Sequence, residues 1–372
     1  MIDAQRRQEL ATEFARFLPS EDLDRHPTYR AICRGVADDT ALLELADLVP
    51  PPQAPVNVLL ASVHHLLLEG VDHPLGDHYR SVCARRGRAF RMAHDDEVAA
   101  AFAAFCHEHR DPIAERCAVR ATQTNEVGRC AALRAAIASL GKSRGAVGLL
   151  DAGCSAGLNL LVDAYRYDYG AVHAGPPGAL PAIPCELWGA IPPLELPWIT
   201  ARVGLDLAPI DVADDDAVTW LLACLWPDDL ARFERLDQAI ALVRERRGEL
   251  AVRRGDMVED LAGAATAVTA PRLVVVNSWS ASYLPDVRRR AYAEAIASIA
   301  ATRPTTWVSM EFPTVSHDLG VLEKGAPYVH RGASVVCVTE FDGARASSRV
   351  VAETHPHGRW LAWRSVGALG GA

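Results

Sequence analysis

The stretch of the chain with the clearest chemical potential is a glycine-rich turn, Asp151-x-Gly153-x-Ser155-x-Gly157. It follows the short apolar run 147–150, which predicts a strand buried on both faces. We expect a helix to begin at about Leu158. Two glycines let the backbone turn sharply and approach a ligand closely, and in open α/β sheets such turns lie where ligands bind. The pattern therefore predicts a ligand-binding turn.

The same residues fit a second kind of chemistry. The sequence Gly-Cys-Ser-Ala-Gly at 153–157 fits the nucleophile elbow of an α/β-hydrolase. Ser155 would then be the nucleophile, and a later Asp with His355 or His357 would complete a triad. In that fold several strands precede the elbow, whereas the residues before 140 have helical spacing. Both interpretations stay open at this point.

Polar side chains follow several other predicted strands. In an open α/β sheet the carboxyl ends of the strands face the reacting centre, so we expect Asn277, Ser278 and Trp279 to contact the substrate. A general base or orienting group would come from residues that end or follow later strands. These catalytic candidates are Tyr283, Glu311, His355 and His357.

A polar cluster at 123–129, just before the glycine turn, has two interpretations. Thr124 is suited to cap a helix, and Glu126 would lie favourably in its first turn. Alternatively, the cluster closes over the ligand, which makes Asn125, Glu126 and Arg129 substrate-binding candidates.

The periodicity of apolar residues divides the chain into two parts. Residues 1–120 show spacings of three and four, with proline breaks at 50–55, and predict an all-helical N-terminal domain. Residues 121–372 contain short β-branched runs and predict an α/β domain. We expect a mostly parallel sheet with helices on both faces, an irregular proline-rich insertion at about 171–200, helices at 217–248, an antiparallel pair near the C-terminus and a last edge strand at 360–363.

Composition bounds the function. The 372-residue chain is 50% hydrophobic and 23% charged, which indicates a globular protein. A net charge of -9 supplies no basic stripe for phosphates, so we expect no nucleic-acid partner. We find no signal-peptide pattern and no membrane-spanning run, and therefore predict a cytoplasmic protein without a membrane partner.

We predict no metal site. Nine scattered cysteines without a Cys-x-x-Cys pair indicate reduced core thiols rather than a zinc site. His64, His65, His73 and His78 lack a ligand spacing with carboxylates, so we interpret them as structural or solvent-facing.

The glycine turn resembles the first motif of class I S-adenosylmethionine-dependent methyltransferases, with Ser155 in place of one glycine. Gly204-Leu-Asp-Leu resembles the second strand of those enzymes, whose terminal carboxylate binds the ribose hydroxyls. Gly255-Asp256 matches the position that binds the adenine amino group. The resemblance implies the cofactor S-adenosylmethionine, bound by Asp151, Gly153, Ser155, Gly157, Asn159, Asp206, Asp256 and Met257.

The residue that would bind the ribose hydroxyls is ambiguous, because the separation of 55 residues between Asp151 and Asp206 is larger than in the usual methyltransferase unit. Either the insertion accounts for the excess, or Asp206 and Asp211 belong to an added loop and Asp168 binds the ribose.

Nearly the whole chain resembles an uncharacterised bacterial family catalogued as domain of unknown function 2332. The shared segments are Gln-Thr-Asn-Glu-Val-Gly-Arg at 123–129, the turn running into Gly157-Leu-Asn-Leu-Leu, Tyr165-Arg-Tyr-Asp-Tyr-Gly, the Gly204 segment through Asp211, Arg254-Gly-Asp256 and His355-Pro-His-Gly. The resemblance implies a Rossmann-like, methyltransferase-type fold but no settled reaction.

We therefore predict an S-adenosylmethionine-dependent methyltransferase acting on a small-molecule acceptor. One alternative is a methyltransferase fold used for elimination or ring closure in a biosynthetic pathway, or a non-catalytic partner subunit. The other is the serine hydrolase. The sequence leaves a protein partner or a homodimer open.

Overall fold

A computed structural model of the protein describes residues 2–17, 26–323, 325, 328–343 and 345–364. The chain divides into two compact units. The first comprises Met1–Thr124 and Ala213–Glu234, and the second comprises Asn125–Val212 and Arg235–Ala372. Sequence analysis had placed the segment 213–234 in the second domain.

Some of the α-helices begin or end at residues with recognisable capping signals. Asp39 accepts hydrogen bonds from the N–H groups of Ala41 and Leu42, and Gly70 ends a helix with φ +118°. The helices are α1 (Ala4–Phe17), α2 (Pro27–Asp38), α3 (Thr40–Ala46), α4 (Pro55–Glu69), α5 (Arg80–Arg86), α6 (Asp95–Glu108), α7 (Arg110–Val119), α8 (Cys130–Ala138), α9 (Asp215–Ala223), α10 (Leu230–Glu245), α11 (Leu261–Thr266), α12 (Asp286–Ala300) and α13 (Pro313–Asp318).

The first unit is helical. No strand lies in its described residues, and α1 to α7 enclose a continuous apolar core to which Trp220 of α9 also belongs. Its buried His64 is held by two hydrogen bonds, since its ring bonds to the carbonyl of Ala223 and to Ser81 Oγ, at 3.1 and 2.8 Å.

The second unit contains two sheets. The strands are β1 (Ala146–Ala152), β2 (Arg166–Asp168), β3 (His173–Ala174), β4 (Ala182–Pro184), β5 (Glu186–Gly189), β6 (Trp198–Asp206), β7 (Ala251–Arg254), β8 (Arg272–Ser278), β9 (Thr305–Glu311), β10 (Ser334–Asp342), β11 (Arg345–Thr354) and β12 (Trp360–Trp363). The large sheet has nine strands in the order β5-β12-β11-β10-β9-β8-β1-β6-β7, and the small one has the order β3-β2-β4. The predicted mixed α/β class with a mostly parallel sheet is confirmed.

The parallel part of the large sheet has the order of a doubly wound fold. From β1 the chain moves outward to β6 and β7, then returns to β8 and β9 on the other side, and all four neighbouring pairs are parallel. Strand order therefore reverses between β1 and β8. In such sheets this switch point, at the carboxyl ends of the strands, is where ligands bind.

Two local predictions need correction. The strand at 360–363 is not the edge of the sheet, because β5 of the proline-rich insertion pairs in parallel outside it. The helix expected at Leu158 is a 3-10 helix, Leu158–Leu161. In a continuing α-helix the carbonyls of this segment would accept backbone N–H groups, but here three of them accept side-chain donors. The Tyr165 hydroxyl donates to the carbonyl of Leu158, and the Tyr167 hydroxyl donates to that of Val162. The Arg202 guanidinium donates to the carbonyl of Leu160.

The packing of β1 generates a stability prediction. A Cβ added at Gly148 would lie 2.2 Å from Cγ1 of Val268, a buried and rigid side chain. We expect Gly148→Ala to lower the free energy of unfolding by about 1–3 kcal/mol, since overpacking a tight core costs that much. Gly248→Ala is the matched control, because nothing lies within 4 Å of its added Cβ. Urea unfolding of both variants checks the prediction, and equal stabilities would contradict it.

Candidate functional site

The turn after β1 consists of residues in the left-handed region. Gly153, Ser155 and Gly157 have φ of +84°, +50° and +74°, a conformation that side chains with a Cβ rarely adopt. The glycine at 153 is also required by packing, because an added Cβ would lie 2.1 Å from that of Ser280. Ser280, which sequence analysis missed, donates from Oγ to the carbonyl of Ala152 at 2.6 Å.

The end of β6 holds this turn. The Asp206 carboxylate accepts the backbone N–H of Ser155 and that of Ala208, both at 2.8 Å, and is half-buried. The N–H of Gly153 donates to the carbonyl of Leu205 at 2.7 Å. Asp206 therefore lies beside the turn, at the carboxyl end of the strand next to β1.

The two other ribose candidates lie elsewhere. Asp168 belongs to the small sheet, where it accepts from the N–H of Gly170 and lies 3.3 Å from the His173 ring. Asp211 is exposed and lies 3.4 Å from the Arg247 guanidinium. Of the three carboxylates, only Asp206 bonds to the glycine turn in the contacts described.

Asp151 is the penultimate residue of β1 and is 2% exposed. Burial raises its pKa to about 7; a hydrogen bond from Asn159 opposes the shift, and the charge of Asp206 adds to it. Its Oδ2 has no hydrogen-bond partner among the described residues. The site thus contains a carboxyl group whose charge changes near neutral pH.

The segment before α8 lies against the turn. The side-chain amide of Asn125 donates to Ser155 Oγ, and Cys130 Sγ donates to Asn159 Oδ1 at 3.2 Å. In this arrangement Ser155 Oγ accepts an amide hydrogen bond, which does not activate it as a nucleophile.

Glu126 rather than Thr124 caps the short 3-10 helix Val127–Arg129, since its side chain accepts the N–H of Gly128. The alternative, that the 123–129 cluster closes over the ligand, stays a prediction.

Residues 126–129 also contact the loop 355–358. Glu126 Oε2 lies 3.6 Å from Nδ1 of His357, and Arg129 Nε donates to the carbonyl of Pro356 at 2.8 Å. Two glycines permit the approach: a Cβ at Gly128 would lie 2.5 Å from the His357 carbonyl oxygen, and one at Gly358 would lie 2.1 Å from that of Gly128. Sequence analysis named the histidines but not these contacts.

Trp279, directly after β8, has a backbone conformation that is unusual for a bulky residue, with φ +61°. Its indole N–H donates to Ser334 Oγ at 2.9 Å, and its ring packs on Phe312 with centroids 4.3 Å apart. The Arg129 guanidinium lies 5.0 Å from the ring centroid, a cation–π distance. These contacts place the indole beside the end of β9 and the start of β10.

Glu311 and Asn277 are fully buried and form a network. Glu311 accepts from the Asn277 amide, the N–H of Ala281 and the Ser282 hydroxyl, at 2.7, 3.1 and 2.8 Å. Burial raises the pKa of Glu311, and these three bonds oppose the shift. Asn277 also accepts from the Trp307 indole at 2.6 Å. The network fixes the segment after β8, and Ser278, which bonds weakly to Met310, belongs to the same region.

Asp256 and Tyr283 lie toward the surface. Asp256 Oδ1 accepts from the N–H groups of Val258 and Glu259 and from Arg288, the last at 2.6 Å. The preceding Gly255 donates to the carbonyl of Asp206, so Asp256 lies next to that strand end, and Met257 is buried. Tyr283 is 71% exposed and no contact described here joins it to the buried network.

One group in the first unit has the composition of a metal site. Ligand atoms of His65, Glu69 and Asp216 lie within 4.8 Å of one another, a proximity that the sequence did not reveal. Arg116 and Arg120 already pair with the two carboxylates, at 2.7 and 2.5 Å. Those two positive charges oppose cation binding, so the group is better described as an ion-pair network.

The strand order defines a doubly wound α/β protein, and Asp151, Asp206 and Asp256 lie at or shortly after the carboxyl ends of its parallel strands. The family model described as "Uncharacterized protein conserved in bacteria (DUF2332)" matches residues 11–363. The chain belongs to this family.

Other comparisons add little. No curated protein matches the chain. A solved structure described as "Conversion of a Disulfide Bond into a Thioacetal Group during Echinomycin Biosynthesis" is 16% identical, and the match covers 57% of this chain and 70% of that chain with a TM-score of 0.23. A likeness at that TM-score carries no argument. Within the described residues, the helices lack the length and apolar character needed to cross a membrane.

The pKa of Asp151 generates a prediction on stability against pH. Because the folded pKa of about 7 exceeds the ordinary value of 3.8, the free energy of unfolding falls as pH rises between these values and levels off above 7. Asp151→Asn should remove this dependence, which amounts to about 2–3 kcal/mol between pH 5 and 8. Urea unfolding of both proteins at several pH values measures it. The same pH slope in wild type and variant would contradict the assignment.

Proposed function

We propose that the protein is an S-adenosylmethionine-dependent methyltransferase that acts on a small-molecule acceptor. The observation that carries the proposal is the set of acidic residues at the carboxyl ends of three neighbouring parallel strands. Asp151 and Asp206 lie within the last two residues of β1 and β6, and Asp256 lies two residues after β7. With the left-handed glycine turn they lie on the β1 side of the switch point, the region where a doubly wound sheet binds nucleotides.

The residues present fit this cofactor chemically. Each carboxylate oxygen of Asp206 accepts one backbone N–H, so each can still accept a hydrogen bond from a ribose hydroxyl. The buried Oδ2 of Asp151 is an acceptor suited to a cationic amine, whose charge would also favour the ionised carboxylate. Asp256 receives its described bonds at Oδ1, and the adenine amino group would donate to Oδ2.

The acceptor would bind on the side of β8 and of the loop 355–358. There Trp279 presents an aromatic ring, Arg129 presents a charge and His357 presents a base. Methyl transfer requires the protein to bring a nucleophile in line with the methyl group and to remove a proton where the nucleophile carries one. Glu311 is less suited to removing that proton, since it is fully buried and accepts three hydrogen bonds.

The hydrolase alternative finds less support in the geometry. Ser155 Oγ accepts an amide hydrogen bond from Asn125, and β1, which precedes the serine, is the first strand of the described chain. A methyltransferase-type fold used for another reaction stays compatible with the geometry, because fold alone does not fix function.

Binding of S-adenosylmethionine, measured by titration calorimetry, tests the proposal. We expect wild type to bind and Asp206→Asn to bind about ten- to a hundredfold more weakly, because a charge-assisted hydrogen bond is worth about 1.5–3 kcal/mol. Asp256→Ala should weaken binding by a similar factor through the adenine contact. Circular dichroism and urea unfolding confirm that each variant is folded.

Asp211→Asn and Asp168→Asn are matched controls and should bind as wild type does. A loss of affinity in either control, with Asp206→Asn unaffected, would show that the ribose carboxylate is assigned wrongly. No binding by wild type would overturn the cofactor proposal and favour the repurposed fold. Labelling of Ser155 by a serine-directed phosphonate, with loss of activity, would instead favour the hydrolase.

A further inference from the structure

A histidine in the loop before β10 forms a hydrogen bond with a buried carboxylate near the end of β11. His330 Nδ1 lies 2.9 Å from Glu353 Oε2, and the two side chains are 32% and 3% exposed. The backbone N–H groups of Val329 and His330 donate to the same oxygen, at 3.0 and 2.9 Å, and Arg364 donates to the other at 2.7 Å. The carboxylate therefore fixes both the loop and the imidazole.

These bonds also determine which nitrogen of His330 is available. Burial raises the pKa of Glu353, but the hydrogen bonds from His330, Arg364 and Val329 outweigh burial and hold this pKa below its ordinary value. An ionised carboxylate only accepts hydrogen bonds, so Nδ1 carries a proton and Nε2 of the neutral ring is an acceptor. Nε2 makes no hydrogen bond or ion pair with any described residue.

Two tryptophans lie against the His330 ring. The indoles of Trp188 and Trp360 stack in parallel, with centroids 4.3 Å apart and 8° between the ring planes. The imidazole centroid lies 5.3 Å from that of Trp188 and 4.9 Å from that of Trp360. All three residues are half-buried. A hydrogen-bond acceptor thus lies beside an aromatic surface that is partly open to solvent.

Strand register places this surface at the edge of the sheet where the parallel strands have their carboxyl ends. Val335, near the start of β10, pairs with Glu311 at the end of β9, and Ser334 pairs with Thr354 at the end of β11. β12 begins beside the same end, since Leu361 pairs with Thr354. The loop before β10 and the start of β12 therefore lie on the edge that carries the proposed cofactor site.

The two elements on the acceptor side of that site border this surface. The Trp279 indole donates to Ser334, the first residue of β10, at 2.9 Å. The loop 355–358 adjoins Trp360, whose carbonyl accepts the N–H of His355 at 3.1 Å and whose ring centroid lies 6.4 Å from that of His355. An acceptor that reaches from β8 toward the loop 355–358 would therefore meet the aromatic surface.

The histidines of the loop 355–358 lack a hydrogen bond to a carboxylate in the contacts described. His357 Nδ1 lies 3.6 Å from Glu126 Oε2, beyond the distance of a hydrogen bond. His355 Nδ1 accepts the backbone N–H of His357 at 3.0 Å. His330 differs from both because Glu353 sets its tautomer.

We propose that His330, Trp188 and Trp360 bind the aromatic ring of the methyl acceptor and that His330 Nε2 accepts a hydrogen bond from the acceptor's hydroxyl group. Glu353 is the positioning residue. The inference rests on the proposed function and adds a substrate class, a planar aromatic compound with a phenolic hydroxyl. Indoles pack favourably against planar aromatic rings. An aryl ether would match only the aromatic surface, and an aliphatic alcohol would match only Nε2.

The tautomer of His330 tests the acceptor on the full chain without any ligand. In protein labelled with ¹⁵N-histidine, long-range ¹H–¹⁵N correlation spectra at a pH where the ring is neutral should show its proton on Nδ1. His330→Gln identifies the signal, and His173→Gln, which removes an exposed histidine of the small sheet, should leave it in place. A proton on Nε2 of His330 would overturn the inference.

Titration of the same labelled protein with phenol, anisole and cyclohexanol tests the substrate class. Phenol should shift the Nε2 resonance of His330 toward that of a protonated nitrogen, whereas anisole, which has no O–H, should leave it nearly unchanged. Cyclohexanol, which has no aromatic ring, should bind about two- to tenfold more weakly than phenol. Equal shifts with phenol and anisole, or no shift with phenol at tens of millimolar, would overturn the inference.

A pair of variants locates the aromatic surface. Trp360→Leu should weaken phenol binding by about two- to tenfold. Trp198→Leu is the matched control and should bind as wild type does, because this indole is 77% exposed at the start of β6, on the opposite edge of the sheet. Circular dichroism shows whether each variant is folded. Undiminished binding by folded Trp360→Leu would contradict the site, and the titration of wild type decides the matter if that variant does not fold.

The proposed function and this inference fail separately, because phenol binding does not require the cofactor. Phenol binding at His330 without binding of S-adenosylmethionine would overturn the proposed function and leave the aromatic site. Binding of S-adenosylmethionine without a phenol-induced shift at His330 would leave the proposed function and overturn this inference.

Discussion

The site depends on the bonds that hold the left-handed turn after β1 to the end of β6. Asp206 accepts the N–H of Ser155 and that of Ala208, while the carbonyl of Leu205 accepts that of Gly153. The N–H groups of a sharp turn have no partner in a regular helix or sheet, and burying them unpaired would be costly. These bonds supply the missing acceptors. They also bring a carboxylate to the switch point, so the bonds that stabilise the turn position the proposed ribose ligand.

Two buried carboxyl groups near this turn differ in their partners. Glu311 accepts three hydrogen bonds and fixes the segment that follows β8, so its charge is matched by fixed donors. Asp151 receives one side-chain bond, from Asn159, and has an oxygen without a partner in the described part of the chain. Two carboxyl groups whose surroundings differ in this way differ in how readily they ionise, and such a difference suits them to different roles. Under the proposed function, a bound positive charge would affect Asp151, whereas the three hydrogen bonds of Glu311 suit a structural role.

Segments that are distant in the sequence come together around the site, and they approach each other most closely at glycines. Gly128 and Gly358 pass so closely that neither has space for a Cβ, and Gly153 has the same relation to Ser280. These three contacts join the segment before α8 to the loop 355–358, and the turn after β1 to the segment after β8. A substitution at any of them would separate elements that carry candidate ligand or proton-transfer groups, even though no glycine side chain takes part in the chemistry.

The sequence by itself determined the parallel strands and the ends at which their polar residues lie, because β-branched runs such as 272–276 and the glycine turn are local signals. It also placed Asp151 and Asp256 at strand ends, but it left Asp206 open between a strand end and an added loop. Only the tertiary structure decided that β5 of the insertion extends the large sheet, that the helix at Leu158 is a short 3-10 turn, and that Glu126 meets His357 while Tyr283 lies at the surface. Strand pairing across a sheet and side-chain contacts between segments hundreds of residues apart depend on which surfaces the whole fold brings together, and no local pattern of residues encodes them.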